Sequence, residues 1–284
     1  MQKRPIKINY YPNLSQTWGL VGIFFLATIL VSLGSYLLTG ILTGLDFFSA
    51  NSIKGFVQFF IYTVAGLFVI WFGFREREKV EPNFETPYKK VPATLYLVLI
   101  PLTLSIGFLL EPVIEAIPMP ESIKLLFEQM MSELFKSPFW AVVTVSLAAP
   151  FIEEWICRGI ILEGLLKHFK QKPWVAILWS AFIFGFIHLN PWQFVSAFAI
   201  GILLGWLYFT FVSLLPCFFV HFLNNAVAAL VSIIVENPNI STKDLLSSEN
   251  QYYVLLSVAF LVLVVCLYLL KVVADKQKKE VVSL

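Results

Sequence analysis

An all-α polytopic membrane protein, a single bundle of about eight transmembrane helices, is the fold class this sequence predicts, on three observations. The 284 residues are 58% hydrophobic and only 13% charged, a balance that soluble globular domains do not show. The apolar residues gather into eight stretches, most of them near the length of about 20 residues that carries a helix across about 30 Å of hydrocarbon. The lysines and arginines fall unevenly between alternate connecting segments, as they do when topology follows the positive-inside rule.

The spans lie near Trp18–Thr39, Gly55–Phe74, Pro92–Leu110, Pro138–Leu166, Trp174–Leu189, Gln193–Phe211, Leu214–Val235 and Tyr252–Val273. The first follows a polar, basic lead, but it is too long for a signal-peptide core and no small-residue cleavage pattern follows it, so it is expected to be retained. The fifth is short. An even number of spans puts both termini on one side. Lys3, Arg4 and Lys7, then Arg75, Arg77, Lys79, Lys89 and Lys90, then Lys167, Lys170 and Lys172, and finally Lys271, Lys276, Lys278 and Lys279 occupy the segments of that side. The opposite segments hold only Lys54, Lys124, Lys136 and Lys243. Both termini are therefore expected in the cytoplasm. With no internal repeat or soluble segment, residues 1–284 read as one membrane-embedded domain, with N-terminal spans over 18–112, a core over about 138–235 and a last span over 252–273.

The third loop, Glu111 to Ser137, is acidic and contains a stretch in which Ile123, Phe127, Met130 and Leu134 share one helical face. It is expected to lie in the outer interface as a short amphipathic helix, as membrane contact rather than a lid. The cysteines Cys157, Cys217 and Cys266 sit in apolar runs without CxxC spacing, so they read as small buried hydrophobes.

Ionisable groups inside the spans are confined to the fourth (Glu153, Glu154, Arg158, Glu163), the fifth (His188) and the seventh (His221, with Asn224 and Asn225 one turn on). Charge at that depth costs about 2.5 to 3.5 kcal/mol per residue and usually marks function. Glu154 and Arg158 are i and i+4 and can pair, whereas Glu153 points about 100° away without a sequence-local partner. A buried His or Asn alone is commonly an interhelical hydrogen bond, but a carboxylate, two imidazoles and an amide on three spans match the needs of amide hydrolysis. Glu153 would take a proton from water with help from His188, and His221 and Asn225, i and i+4, would donate to the oxyanion. Phe184 lies i−4 from His188 and would pack against its ring or the substrate. His168, in a basic loop, reads as solvated. HExxH and GxSxG are absent, and the aspartates Asp46, Asp244 and Asp275 lie outside the spans, so zincin, serine and aspartyl schemes do not apply. A zinc ion on Glu153, His188 and His221 stays open, because two histidines and one carboxylate suffice.

Glu153-Glu154-x-x-x-Arg158, Phe184-x-x-x-His188 and His221-x-x-x-Asn225, in that order on three of eight spans, resemble the three motifs of the CPBP intramembrane proteases, the family of type II CAAX prenyl endopeptidases and bacterial Abi proteins. The resemblance implies Glu153 and His188 as the water-activating pair, His221 and Asn225 as the oxyanion hole, and Glu154 and Arg158 as a supporting pair. It implies an endopeptidase of glutamate type or metallo type acting on a peptide or membrane-anchored protein, CAAX-type prenylated proteins included. The expected location is a prokaryotic plasma membrane, with the lipid bilayer and the substrate as partners and no nucleic acid. Two other readings use the same residues: a non-catalytic adaptor or bacteriocin self-immunity factor, and a proton-coupled transporter carrying its proton on Glu153. The absence of inverted repeats and paired broken helices speaks against the last.

Overall fold

The computed structural model describes residues 10–42, 51–85, 88–235 and 241–282. These residues form helices α1 (Leu14–Leu42), α2 (Asn51–Val80), α3 (Ala93–Glu115), α4 (Glu121–Phe135), α5 (Pro138–Phe169), α6 (Pro173–Phe186), α7 (Pro191–Phe211), α8 (Leu215–Val235) and α9 (Glu249–Val282), with no strand among them. Seven are long and apolar enough to cross a bilayer. The eighth expected span, α6, is an apolar helix of 14 residues. It nonetheless carries the chain across the bundle, because the turn after it returns α7 antiparallel along it. The turn is built by Leu189 at φ 52 and by Asn190, whose side chain accepts from the N–H groups of Trp192 and Gln193 while Pro191 opens α7.

α5 is the hub and packs against α2, α6, α7 and α8, while α1 lies along α2 and α9 along α3. Gly66 brings α2 close to α5: a Cβ there would stand 2.8 Å from Ile152 Cδ1 and nearer still to its Cγ2. Outward faces remain apolar, as at Leu26, Phe60, Leu97 and Phe260, the pattern of a surface solvated by lipid rather than water.

Contacts fix the two ends of the bundle. At one end the Tyr10 hydroxyl meets His168 Nδ1 at 2.7 Å, Lys89 N–H donates to Val212 O, and Arg77 joins Glu81 and Glu163. At the other, Trp192 Nε1–H donates to Ile117 O and Thr242 N–H to Glu111. α9 starts beside the end of α3 and runs back along it, so Tyr10 and the end of α9 share the first, lysine-rich end. His168, read as solvated, is half-buried and ties the N-terminal segment to α5.

α2 continues past the expected Phe74 to Val80 because its last turns are paired. Arg77, counted in the sequence as a loop charge, is 1% exposed. Its guanidinium donates to Gly159 O, Glu81 and Glu163 and lies 3.7 Å from the centre of the Phe84 ring, which supplies what a buried cation requires.

Candidate active site

The carboxylates of α5 are held between two stretches of π-helical turn, Val143–Ala148 and Trp155–Leu162. In the first, Ala149 N–H reaches back five residues to Thr144 O. The next nitrogen in that register belongs to Pro150, which has no hydrogen to give. Val145 O is left open, and Asn225 Nδ2 donates to it at 2.9 Å from α8. In the second, Cys157 O accepts from the Ser180 hydroxyl and Gly159 O from Arg77. The widened turns thus exchange intrahelical bonds for bonds to α8, α6 and α2, and these fix the rotation of Glu153 and Glu154.

Glu154 is 1% exposed. Its Oε1 accepts from Arg158 Nη1 at 2.9 Å and from His221 Nδ1 at 2.8 Å. Arg158, fully buried, also donates to Gly201 O and stacks over the Phe184 ring at 4.5 Å. The supporting pair expected from helix spacing is therefore present, and it extends to a histidine. Because a carboxylate only accepts, His221 carries its hydrogen on Nδ1 and, as a neutral ring, leaves Nε2 with a lone pair. That nitrogen stands 3.8 Å from Glu153 Oε2.

Glu153 finds its partner on α2, where the Tyr62 hydroxyl donates to Oε1 at 2.6 Å. Oε2 is buried without a hydrogen-bond partner among the described residues, so one oxygen is anchored and the other faces His221. His188, just past the end of α6, gives its Nδ1–H to Phe184 O at 2.8 Å. With Nδ1 as the donor, Nε2 is the acceptor nitrogen of the uncharged ring form. The Phe184 ring touches both imidazoles edge-on, at 5.3 Å from His188 and 5.2 Å from His221.

Glu153, Phe184, His188, His221 and Asn225 line one cavity of about 430 Å³, together with Tyr62, Thr144, Gln193, Ser196, Asn224 and Ser232. Glu154 and Arg158 lie behind its wall. The volume suits a ligand of several residues or a drug-sized molecule. On the α1 side of Glu153, among Leu20, Phe24, Ile156 and Ile183, the space is about 10 Å³, no more than one water.

A family model described as type II CAAX prenyl endopeptidase Rce1-like matches residues 135–227, the stretch from the end of α4 into α8 that contains every motif residue above. Residues 135–227 are thus similar to that family. Comparison with curated proteins and with solved structures returned no match. α1 to α3 and α9 lie outside the Rce1-like match, yet α2 supplies Tyr62, which completes the environment of Glu153.

The arrangement differs from the sequence reading in four respects. Asn225 and His221 do not both aim free donors at one point: one Asn225 N–H is engaged by Val145 O, its Oδ1 accepts from Asn224, and His221 Nδ1 is committed to Glu154. Among the described residues no three His, Cys, Asp or Glu side chains come together closely enough to hold one metal ion, so Glu153, His188 and His221 as placed do not fit the zinc set. The face of α4 turned to the cavity is Phe127, Met131 and Phe135, whereas Ile123 and Met130 of the expected stripe are exposed. Instead of serving only as membrane contact, α4 covers part of the cavity. Tyr62 was missed, because a lone phenol in an apolar span carries no sequence-local sign of a partner.

Proposed function

We propose that the protein is an intramembrane endopeptidase that hydrolyses a peptide bond of a peptide or membrane-anchored protein. The Rce1-like match supports the reaction class, CAAX-type proteolysis at the family level. The observation that carries the reading is the half-anchored carboxylate: Glu153 Oε1 is held by Tyr62, while Oε2 faces His221 in a cavity with room for a peptide. A carboxylate so held is a base in fixed position.

In the proposed reaction Glu153 Oε2 takes one proton from water as the water oxygen attacks the carbonyl carbon, while the second O–H, which stays on the attacking oxygen, donates a hydrogen bond to His188 Nε2 that fixes its direction. The oxyanion receives the free Asn225 N–H. Collapse breaks the C–N bond, and the proton held by Glu153 passes to the leaving amine. Glu154 orients His221, and Arg158 with Phe184 holds Glu154. Tyr62 acts through Glu153 and is a positioning residue. Both chain termini are assigned to the cytoplasm.

The test is capture. Glu153→Gln keeps the shape of the side chain and loses the base, so it should retain bound substrate that the wild type cleaves. Identification by mass spectrometry of a protein held by Glu153→Gln, followed by its cleavage by the wild type only, establishes the reading. A captured protein that wild type leaves intact points to the adaptor instead.

A further inference from the structure

The polar groups that line the cavity lie at or to one side of the Glu153–His221 level along their own helices. On α5, which runs away from the α4 end, Thr144, Val145 and Ala149 precede Glu153. On α8, which runs toward that end, Asn224, Asn225 and Ser232 follow His221. Gln193 and Ser196 belong to the first turns of α7, and Phe127 and Met131 to α4 itself. Beyond Glu153 toward the other end, the helices are closed by Cys157, Ile160 and Ile161, all 0% exposed, and then by the network of Arg77, Glu81, Glu163 and Lys167. The closed end is the lysine- and arginine-rich one, with Lys89, Lys167, Lys170 and Lys172. The α4 end carries Glu111, Glu115, Glu121, Glu128, Glu133 and Asp244 against few lysines. Positive charge of this distribution is retained in the cytoplasm.

Resting on the proteolytic reading for its chemistry, we infer that the cavity opens away from the cytoplasm, beneath α4. Its substrate is then a chain segment presented from the extracytoplasmic face. Among the described residues no lysine or arginine lines the cavity, so it holds no permanent cation for a terminal carboxylate, whereas Gln193, Asn224, Ser196 and Ser232 offer the amides and hydroxyls that bond an extended backbone. The class of substrate is an internal peptide bond within an extracytoplasmic or outer-leaflet segment, not a tail delivered from the basic side. The α4 helix, with Phe127, Met131 and Phe135 inward, covers the mouth.

Access is measured independently of turnover. In the full-length protein, Gln193→Cys and Ser232→Cys are placed singly and treated with a membrane-impermeant maleimide in sealed right-side-out vesicles, with Gln171→Cys at the basic end as control. The native cysteines are buried. Labelling of both cavity positions at least ten-fold faster than Gln171→Cys, with the order reversed in inside-out vesicles, is expected. Cavity labelling only from inside-out vesicles, or from neither, overturns the inference and leaves the proteolytic reading to the capture experiment. As a second arm, a photo-crosslinking residue at Gln193 in the Glu153→Gln background should join to an extracytoplasmic segment of the captured protein. Crosslinking to a cytoplasmic tail would refute the assignment.

Discussion

The Tyr62 hydroxyl donates to Glu153 Oε1 at 2.6 Å across the α2–α5 interface, and this bond decides which carboxylate oxygen faces the cavity. Tyr62→Phe removes it without changing the shape of the ring. A hydrogen bond to a charged group contributes about 1.5 to 3 kcal/mol, so the expected effect is a fall in kcat of about 10- to 100-fold with KM little changed. Steady-state kinetics on the captured substrate checks this. A variant altered in KM alone would place Tyr62 in substrate binding instead.

Gly66 stands one turn from Tyr62 and meets Ile152, the neighbour of Glu153. Gly66→Ala forces α2 outward and lengthens the Tyr62–Glu153 bond, so its loss of turnover should approach that of Tyr62→Phe. Ile152→Ala in the same chain removes the Cγ2 and Cδ1 atoms that the new methyl meets, and the pair should recover part of the activity. Coupling measured by the double-mutant cycle is the readout.

Arg158 and Glu154 form a buried pair with 0% and 2% side-chain exposure. Removing one partner of such a pair costs about 3 to 5 kcal/mol because the other charge stays buried. Arg158→Met should therefore lower thermal stability in detergent markedly, whereas Glu153→Gln, whose Oε1 can still accept from Tyr62, should melt near the wild type. Equal melting of Arg158→Met and wild type would contradict the assignment.

At the basic end, burial works against ionisation of Glu81, but its hydrogen bonds to Lys167 and Arg77 outweigh it and hold the carboxyl below the usual glutamate range. The depressed value means that this contribution to stability is fully present above the ordinary glutamate pKa of about 4.3 and is lost as pH falls through the lowered one. Melting temperature in detergent should drop on acidification in the wild type. Glu81→Gln should start lower at neutral pH and lose less between pH 5 and 3.

Much of the fold was legible because apolar run length and lysine placement are one-dimensional signals. All eight expected stretches fall on helices, with α6 short and α2, α3 and α9 running past their expected ends, and the Glu154–Arg158 pair follows from helix periodicity alone. What was not legible depends on partners from elsewhere in the chain. Arg77 reads as a loop charge until Gly159 O and Glu163 are brought to it. The engagement of Asn225 follows from Pro150 breaking a π-turn register, which needs the turn to be seen first. On α4 the spacings i, i+4, i+8 and i, i+4, i+7 both give apolar stripes, and only packing selects Phe127, Met131 and Phe135.

The central claim is that Glu153 supplies the base for peptide hydrolysis. The direct measurement is cleavage of the captured protein by purified wild type and by Glu153→Gln in the same detergent, with equal melting temperatures as the control for folding. The account predicts defined fragments from the wild type and at least a thousand-fold slower cleavage by the variant, the loss of about 4 kcal/mol of transition-state stabilisation. Cleavage at the same bond and at the wild-type rate by Glu153→Gln would contradict it.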